Sequence, residues 1–241
     1  MPGGVNGRVW LLDASEEGAL DFFGTLPHDA RMKPLCILGL AVSLLGGVST
    51  LNAASPKPIF DGKSFAGWEG DTAKTWRIEN GALTAGSLDQ MAPRNEFLAT
   101  TRRYTNFVLR LKVKLTGTEG FVNSGVQIRS ERIPNHHEMI GYQADIGAGW
   151  WGALYDESRR NTILAKADEG AVKRALKPDD WNDYEIRAEG RRVVLKLNGV
   201  QTVDYTETDA AIVQHGLIAV QIHGGGKSVV AFKDLTIEEL P

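Results

Sequence analysis

Ser124-Gly-Val-Gln-Ile-Arg-Ser130 alternates apolar and polar side chains. Successive side chains of a strand point to opposite faces, so Val126 and Ile128 belong to one face and Gln127 and Arg129 to the other. Two later runs repeat the pattern: Met139-Ile-Gly-Tyr-Gln-Ala-Asp-Ile146 and Leu217-Ile-Ala-Val-Gln-Ile-His223. Ile140, Tyr142, Ala144 and Ile146 oppose Gln143 and Asp145 in the first of these. Ile218, Val220 and Ile222 oppose Gln221 and His223 in the second. The three runs predict antiparallel strands of one sheet, with a buried apolar face and a wet face carrying amide, guanidinium, carboxylate and imidazole groups. The wet face is the candidate substrate cleft.

Outward from these runs, many short strand-like segments are separated by Gly, Asn and Asp turns. They include Thr75–Ile78, Ala82–Thr84, Glu96–Thr100, Asn106–Leu115, Trp181–Glu189 and Val229–Glu238. Regular short strands of this kind predict an all-β sandwich or barrel. Arg192–Val203 reads as a hairpin whose Asn198-Gly199 supplies both positive-φ residues of a type I′ turn. Asp168–Lys177 has no strand period and reads as a loop or one helical turn. Trp68, Trp76 and Trp181 have apolar neighbours and are expected in the core.

The strongest apolar stretch, Leu35–Leu51, follows Arg31-Met32-Lys33 and ends at Leu51-Asn-Ala-Ala-Ser55, a small-residue cleavage site. A signal peptide needs its positive region at the N-terminus, so translation is expected to begin at Met32. Residues 1–31 are then an upstream extension, 32–54 the signal peptide, 55–58 a linker and 59–240 a single domain. An uncleaved N-terminal anchor is the competing reading, disfavoured by the short, Gly-broken apolar run. The expected location is periplasmic or secreted, with no membrane contact after cleavage. The sole cysteine, Cys36, lies in the leader and leaves the mature chain no thiol chemistry. The 241 residues carry a formal charge of −3 with scattered basic residues, which argues against a nucleic-acid partner.

No Gly-x-Ser-x-Gly elbow, phosphate loop or Glu-x-Asp-x-x-Glu strand occurs. His136-His137-Glu138 is read as a solvated loop, because adjacent loop side chains seldom converge on one ion. His223 is different, since it ends an apolar strand just before Gly224-Gly-Gly226, where its imidazole stays open to a ligand. Arg129 and Asp145 have the alternative of a plain cross-strand ion pair. Trp150, Trp151 and Tyr155, with Asp156 and Glu157, follow the second run and offer aromatic walls and carboxylates to a sugar.

Phe60-Asp-Gly-Lys-Ser-Phe-Ala-Gly-Trp68, Trp76–Leu83, Asn123–Arg129, Gly141–Asp145, Gly152-Ala-Leu-Tyr-Asp156, Trp181–Glu185 and Phe232–Leu240 occur in an order that resembles the 3-keto-disaccharide hydrolase family. The resemblance covers about Ile59 to Leu240. It implies a concanavalin A-like jelly roll of two antiparallel sheets and cleavage of glycosides already oxidised at C3. A sugar 3-dehydrogenase is then the expected functional partner. A C3 ketone acidifies the C2 proton, so a base can remove it, the enolate can expel the C1 substituent, and water can add to the enone. Such a route needs a base, a stabiliser for the C3 oxygen and an acid. His223 is assigned as base or metal ligand, Arg129 as stabiliser, and Asp145 as orienting partner or metal ligand. Gln127, Gln143 and Gln221 are expected to read hydroxyls, and a divalent metal beside His223 and Asp145 is an open cofactor. The alternatives are a non-catalytic lectin-like carbohydrate-binding module, which would depend on Trp150 or Trp151 more than on His223, and an epimerase sharing the enolate.

Overall fold

The computed structural model describes residues 55–241. The expected extension, signal peptide, Cys36 and His28 lie outside them. Among the described residues no helix is long and apolar enough to cross a membrane.

In chain order the strands begin with β1 Lys57–Pro58, β2 Trp68–Glu69, β3 Trp76–Glu79, β4 Ala82–Ser87 and β5 Glu96–Thr100. Next come β6 Phe107–Gly120, β7 Asn123–Arg132, β8 Met139–Gly147, β9 Leu154–Glu157 and β10 Thr162–Ala165. After helix α1, Glu169–Ala175, follow β11 Asn182–Glu189, β12 Arg192–Leu197, β13 Val200–Thr206, β14 Leu217–Ile222 and β15 Gly226–Glu239. One sheet runs β13-β12-β11-β6-β15-β4-β3, with β1 also on β15. The other runs β10-β9-β8-β7-β14-β5-β2. Every pairing is antiparallel, as in a jelly-roll sandwich.

The three alternating runs are β7, β8 and β14, adjacent in the second sheet. Their apolar set, Val126, Ile128, Tyr142, Ala144, Ile146, Val220 and Ile222, is buried in one core cluster. Leu109, Leu111, Val113, Ile186, Leu195 and Phe232 of the first sheet join that cluster. Each such large side chain stabilises by about 1.5–3 kcal/mol relative to exposure. The period-2 pattern therefore fixes which face becomes the core.

The Asn198-Gly199 turn has φ of 48° and 81°, as the hairpin requires. The stretch Asp168–Lys177 forms α1, whose N-cap Asp168 accepts a 2.6 Å hydrogen bond from the Ala171 N–H. Trp68 and Trp76 are core residues, whereas Trp181 is half-buried at the surface under the Lys233 ammonium, 4.1 Å from its ring centre. Strands β9 and β10, not foreseen as strands, widen the second sheet. The pairing of β9 between β8 and β10 sets the phase of Tyr155, Asp156 and Glu157.

Candidate active site

Directly opposed residues of an antiparallel pair share a face. Asp145 lies opposite Gly125, Gln143 opposite Gln127 and Tyr155, and Glu157 opposite Gly141. The polar face is thus continuous from β14 across β7 and β8 to β9. Gly125 makes this close layering feasible: a Cβ there would stand 2.4 Å from the Gln143 side-chain carbonyl carbon.

Across the face runs a directed chain of hydrogen bonds. Ser130 Oγ donates to Gln127 Oε1 at 2.6 Å, Gln127 Nε2 to Gln143 Oε1 at 2.8 Å, and Gln143 Nε2 to Asp145 Oδ1 at 2.8 Å. All four residues are buried. The other oxygen of Asp145, Oδ2, is buried with no hydrogen-bond partner. Burial pushes the Asp145 carboxyl up to about 7, against the opposing pull of the Gln143 amide. Glu157 is also pushed up to about 7, by burial and then by the negative charge of Glu138.

His223 completes the pocket at the end of β14. Its Nδ1 stands 2.7 Å from the Gly224 carbonyl oxygen. A carbonyl can only accept, so Nδ1 carries the proton and Nε2 presents a free lone pair. The Gly224 N–H donates to Asn95 Oδ1 at 2.9 Å, and the Asn95 Nδ2 donates to Glu138 Oε1 at 3.0 Å. Asn95 therefore ties the His223 turn to the β7–β8 hairpin tip. The imidazole meets Phe121 edge-on at 4.6 Å between centroids, and Trp150 meets Phe121 at 6.4 Å and Tyr155 at 6.1 Å. These rings wall a cavity of about 120 Å³ lined further by Asn123, Gln143, Asp145 and Glu157. That space is below the roughly 300–1,000 Å³ of sites enclosing drug-sized ligands, and suits a single ring.

Of the residues singled out in the sequence, His223, Asp145, Gln143, Trp150, Tyr155 and Glu157 meet in this pocket. Gln127 lies beneath it in the hydrogen-bonded chain. Gln221 is fully buried on β14, and neither of its amide atoms has a partner.

Arg129 is turned off the polar face. It has a φ of 49° where the β7–β8 register shifts. Its guanidinium donates to the Thr105 and Gly190 carbonyls and to Gln214 and Asn106, and burial pushes its pKa down to about 10. Neither a role at the pocket nor a pair with Asp145 fits that placement. Asp156 faces the core side, where it is ion-paired with Arg159 and Arg160. Trp151 lines a neighbouring groove rather than this pocket.

Phe121, Asn123 and Glu138 were not foreseen at the site. Extending the β7 alternation two residues back from Gly125 would have found Asn123. Phe121 offers no such periodic mark. Glu138, expected in a solvated loop, is half-buried, and its Oε2 is buried without a partner.

Among the described residues no three His, Cys, Asp or Glu side chains converge as a metal-binding set. A site of that kind takes at least three protein ligands in the known catalytic zinc centres. The described side chains therefore do not form a three-ligand site of the zinc type.

Among proteins of curated function none matches the chain in sequence. In structure it is similar to a Parabacteroides distasonis protein proposed to be a glycosyl hydrolase, at 19% identity and a TM-score of 0.60, covering 77% of this chain and 94% of that one. A second such P. distasonis protein gives 23% identity and a TM-score of 0.56 over 77% and 99% of the two chains. A carbohydrate-binding module from Bacillus subtilis gives 14% and 0.56 over 72% and 96%. At these identities the likenesses establish the sandwich fold. In sequence, residues 55–238 match the 3-keto-alpha-glucoside-1,2-lyase-like domain, and the chain belongs to that family.

Proposed function

We propose that this protein cleaves 3-keto-α-glucosides by elimination across C1 and C2, followed by hydration. The family description supplies the substrate class and the bond, and the pocket supplies the groups. His223 Nε2 takes the C2 proton, and the electron pair moves onto the C3 oxygen as an enolate. The enolate re-forms the ketone as the C1–O bond breaks, and Glu157 gives its proton to the departing oxygen. Asp145, in its neutral form, donates from Oδ2 to the C3 oxygen, as a carboxyl held protonated in an apolar site can. Water then adds to the enone: its hydroxide joins C1, its proton goes to the Glu157 carboxylate, and the His223 proton returns to C2. The sum is hydrolysis. The 3-keto substrate implies a partner that oxidises the C3 hydroxyl.

One observation carries this reading. A tautomer-fixed imidazole with a free Nε2 shares a ring-sized pocket with two carboxyls that have no cation beside them and are held near 7. A free imidazole nitrogen to take a proton and a carboxyl still protonated near neutral pH to give one are what the elimination requires. The test offers the purified protein a 3-keto-α-glucoside and its unoxidised parent in deuterated water. Cleavage of the keto compound alone, with deuterium at C2 of the product, is expected. His223→Ala should lower turnover about 10²–10⁴-fold. Cleavage of the parent at the same rate, or an unaffected His223→Ala, would overturn the assignment. Binding of the sugars without turnover would leave a carbohydrate-binding module.

A further inference from the structure

Trp150 lines two cavities, the reactive pocket and a larger groove of about 400 Å³. The groove runs between the Ala148–Ala153 turn and α1, with Trp151, Ile163, Val172 and Leu176 among its walls. No Asn, Gln, Ser, Thr or Tyr lines it. Its only charged groups among the described residues, Lys166, Glu169 and Lys173, are exposed to solvent. A second sugar would find only those three solvent-screened charges for its ring hydroxyls, with no amide or hydroxyl side chain among the described lining. It offers instead an indole and aliphatic side chains, the lining that flat apolar ligands take.

The turn bearing the two tryptophans is firmly held. Both Trp150 and Trp151 donate their backbone N–H to the Gly147 carbonyl at 2.9 Å, and Thr202 Oγ1 donates to the Gly152 carbonyl at 2.9 Å. Gly152, at φ 74°, has no room for a side chain, since a Cβ would stand 2.7 Å from Thr202 Oγ1. The backbone that carries the shared indole is thus held before any ligand arrives, which lowers the entropy lost on binding.

We infer that this groove receives the group released from C1, and that the preferred substrates carry a flat aromatic aglycone rather than a second sugar. The inference rests on the keto-glycoside reading above. At about 120 Å³ the pocket has no space for anything beyond the oxidised ring, and the groove of about 400 Å³ that shares Trp150 with it is the apolar space for the remainder of the substrate.

Three 3-keto-α-glucosides test it: the 2-naphthylmethyl glycoside, the methyl glycoside and a disaccharide. The first two release alcohols of the same type, so intrinsic leaving ability does not separate them. We expect kcat/KM for the naphthylmethyl compound to exceed the methyl value by about 10-fold or more, within the discrimination an apolar pocket supports. Ile163→Thr and Val172→Asp should each remove that advantage while leaving the methyl glycoside within about twofold; circular dichroism confirms that each variant is folded. Equal kcat/KM for the three, or preference for the disaccharide, overturns the inference. Titration of 2-naphthylmethanol against tryptophan fluorescence separates the two readings. Saturable binding lost in Val172→Asp, without turnover of any glycoside, overturns the reaction but keeps an aromatic site in the groove; no saturable binding overturns the groove.

Discussion

Asp156 and Glu157 are neighbours in the chain and opposites in surroundings. Asp156 points to the core side of β9 and is fully buried under Arg159 and Arg160. Arg160 also reaches Glu207, which in turn accepts from the Tyr142 hydroxyl at 2.8 Å. Glu157 points to the pocket, where no cation meets it and burial pushes it up to about 7. Glu207, although burial opposes ionisation, is held down to about 2 by Arg160, the Asp209 N–H and Tyr142. One strand therefore carries a carboxylate whose charge is paired within the scaffold and a carboxyl that burial pushes up to about 7 in the pocket. The strand's period of two sorts them.

The sharpest way to break this contrast is Asp156→Ala. It leaves Arg159 without its buried partner and Arg160 with Glu207 alone, and should lower unfolding free energy by about 3 kcal/mol in a denaturant titration. Glu157→Gln should do the reverse: turnover of a 3-keto-glucoside falls about 10²–10³-fold, while the denaturation midpoint stays or rises. A fall in stability equal to that of Asp156→Ala would remove the distinction.

The pH dependence separates the two clusters further. Asp145 has a folded value of about 7 above its ordinary 3.8. The folded state thus holds its proton more tightly, and stability fully present below pH 3.8 is lost as pH rises through about 7. Glu207 runs the other way, contributing above pH 4.5 and losing that contribution as pH falls through about 2. Asp145→Asn should remove the loss between about pH 4 and 7, on the order of 2–4 kcal/mol, and leave the acid limb untouched. Chemical denaturation across that range checks it. The smallest effect is expected from Arg129→Lys, which forfeits part of a fork of hydrogen bonds for about 1–2 kcal/mol of stability but leaves kcat within about threefold. A loss of kcat beyond 100-fold would return Arg129 to the reaction.

The sequence showed the sandwich because its strands β7, β8 and β14 alternate cleanly, and because Asn198-Gly199 demands a tight hairpin. The same alternation brought His223, Asp145 and Gln143 to one face. It misplaced Arg129 because a bulge adds a residue that no periodicity announces: Arg129 is a non-glycine at positive φ. Asp156 was grouped with Glu157 because β9 is only four residues long, too short to display a period among neighbouring turns. Once Tyr155 is known to face the pocket, Glu157 must join it and Asp156 must oppose it. Glu138 and Asn95 meet only through the fold, 43 positions apart in the chain.

The strand β15 comes last in chain order yet sits in the interior of its sheet, hydrogen-bonded to β6 on one side and to β4 on the other. Both neighbours are made long before it. During synthesis the growing chain therefore holds two open ladders of unpaired N–H and C=O groups, and the sheet cannot close until its final 14 residues arrive. Folding of this domain is for that reason an event that waits on the emergence of β15. Until then β4 and β6 stand as templates for any other strand, including those of a second nascent copy, and the interval before β15 emerges is when the protein is most exposed to aggregation.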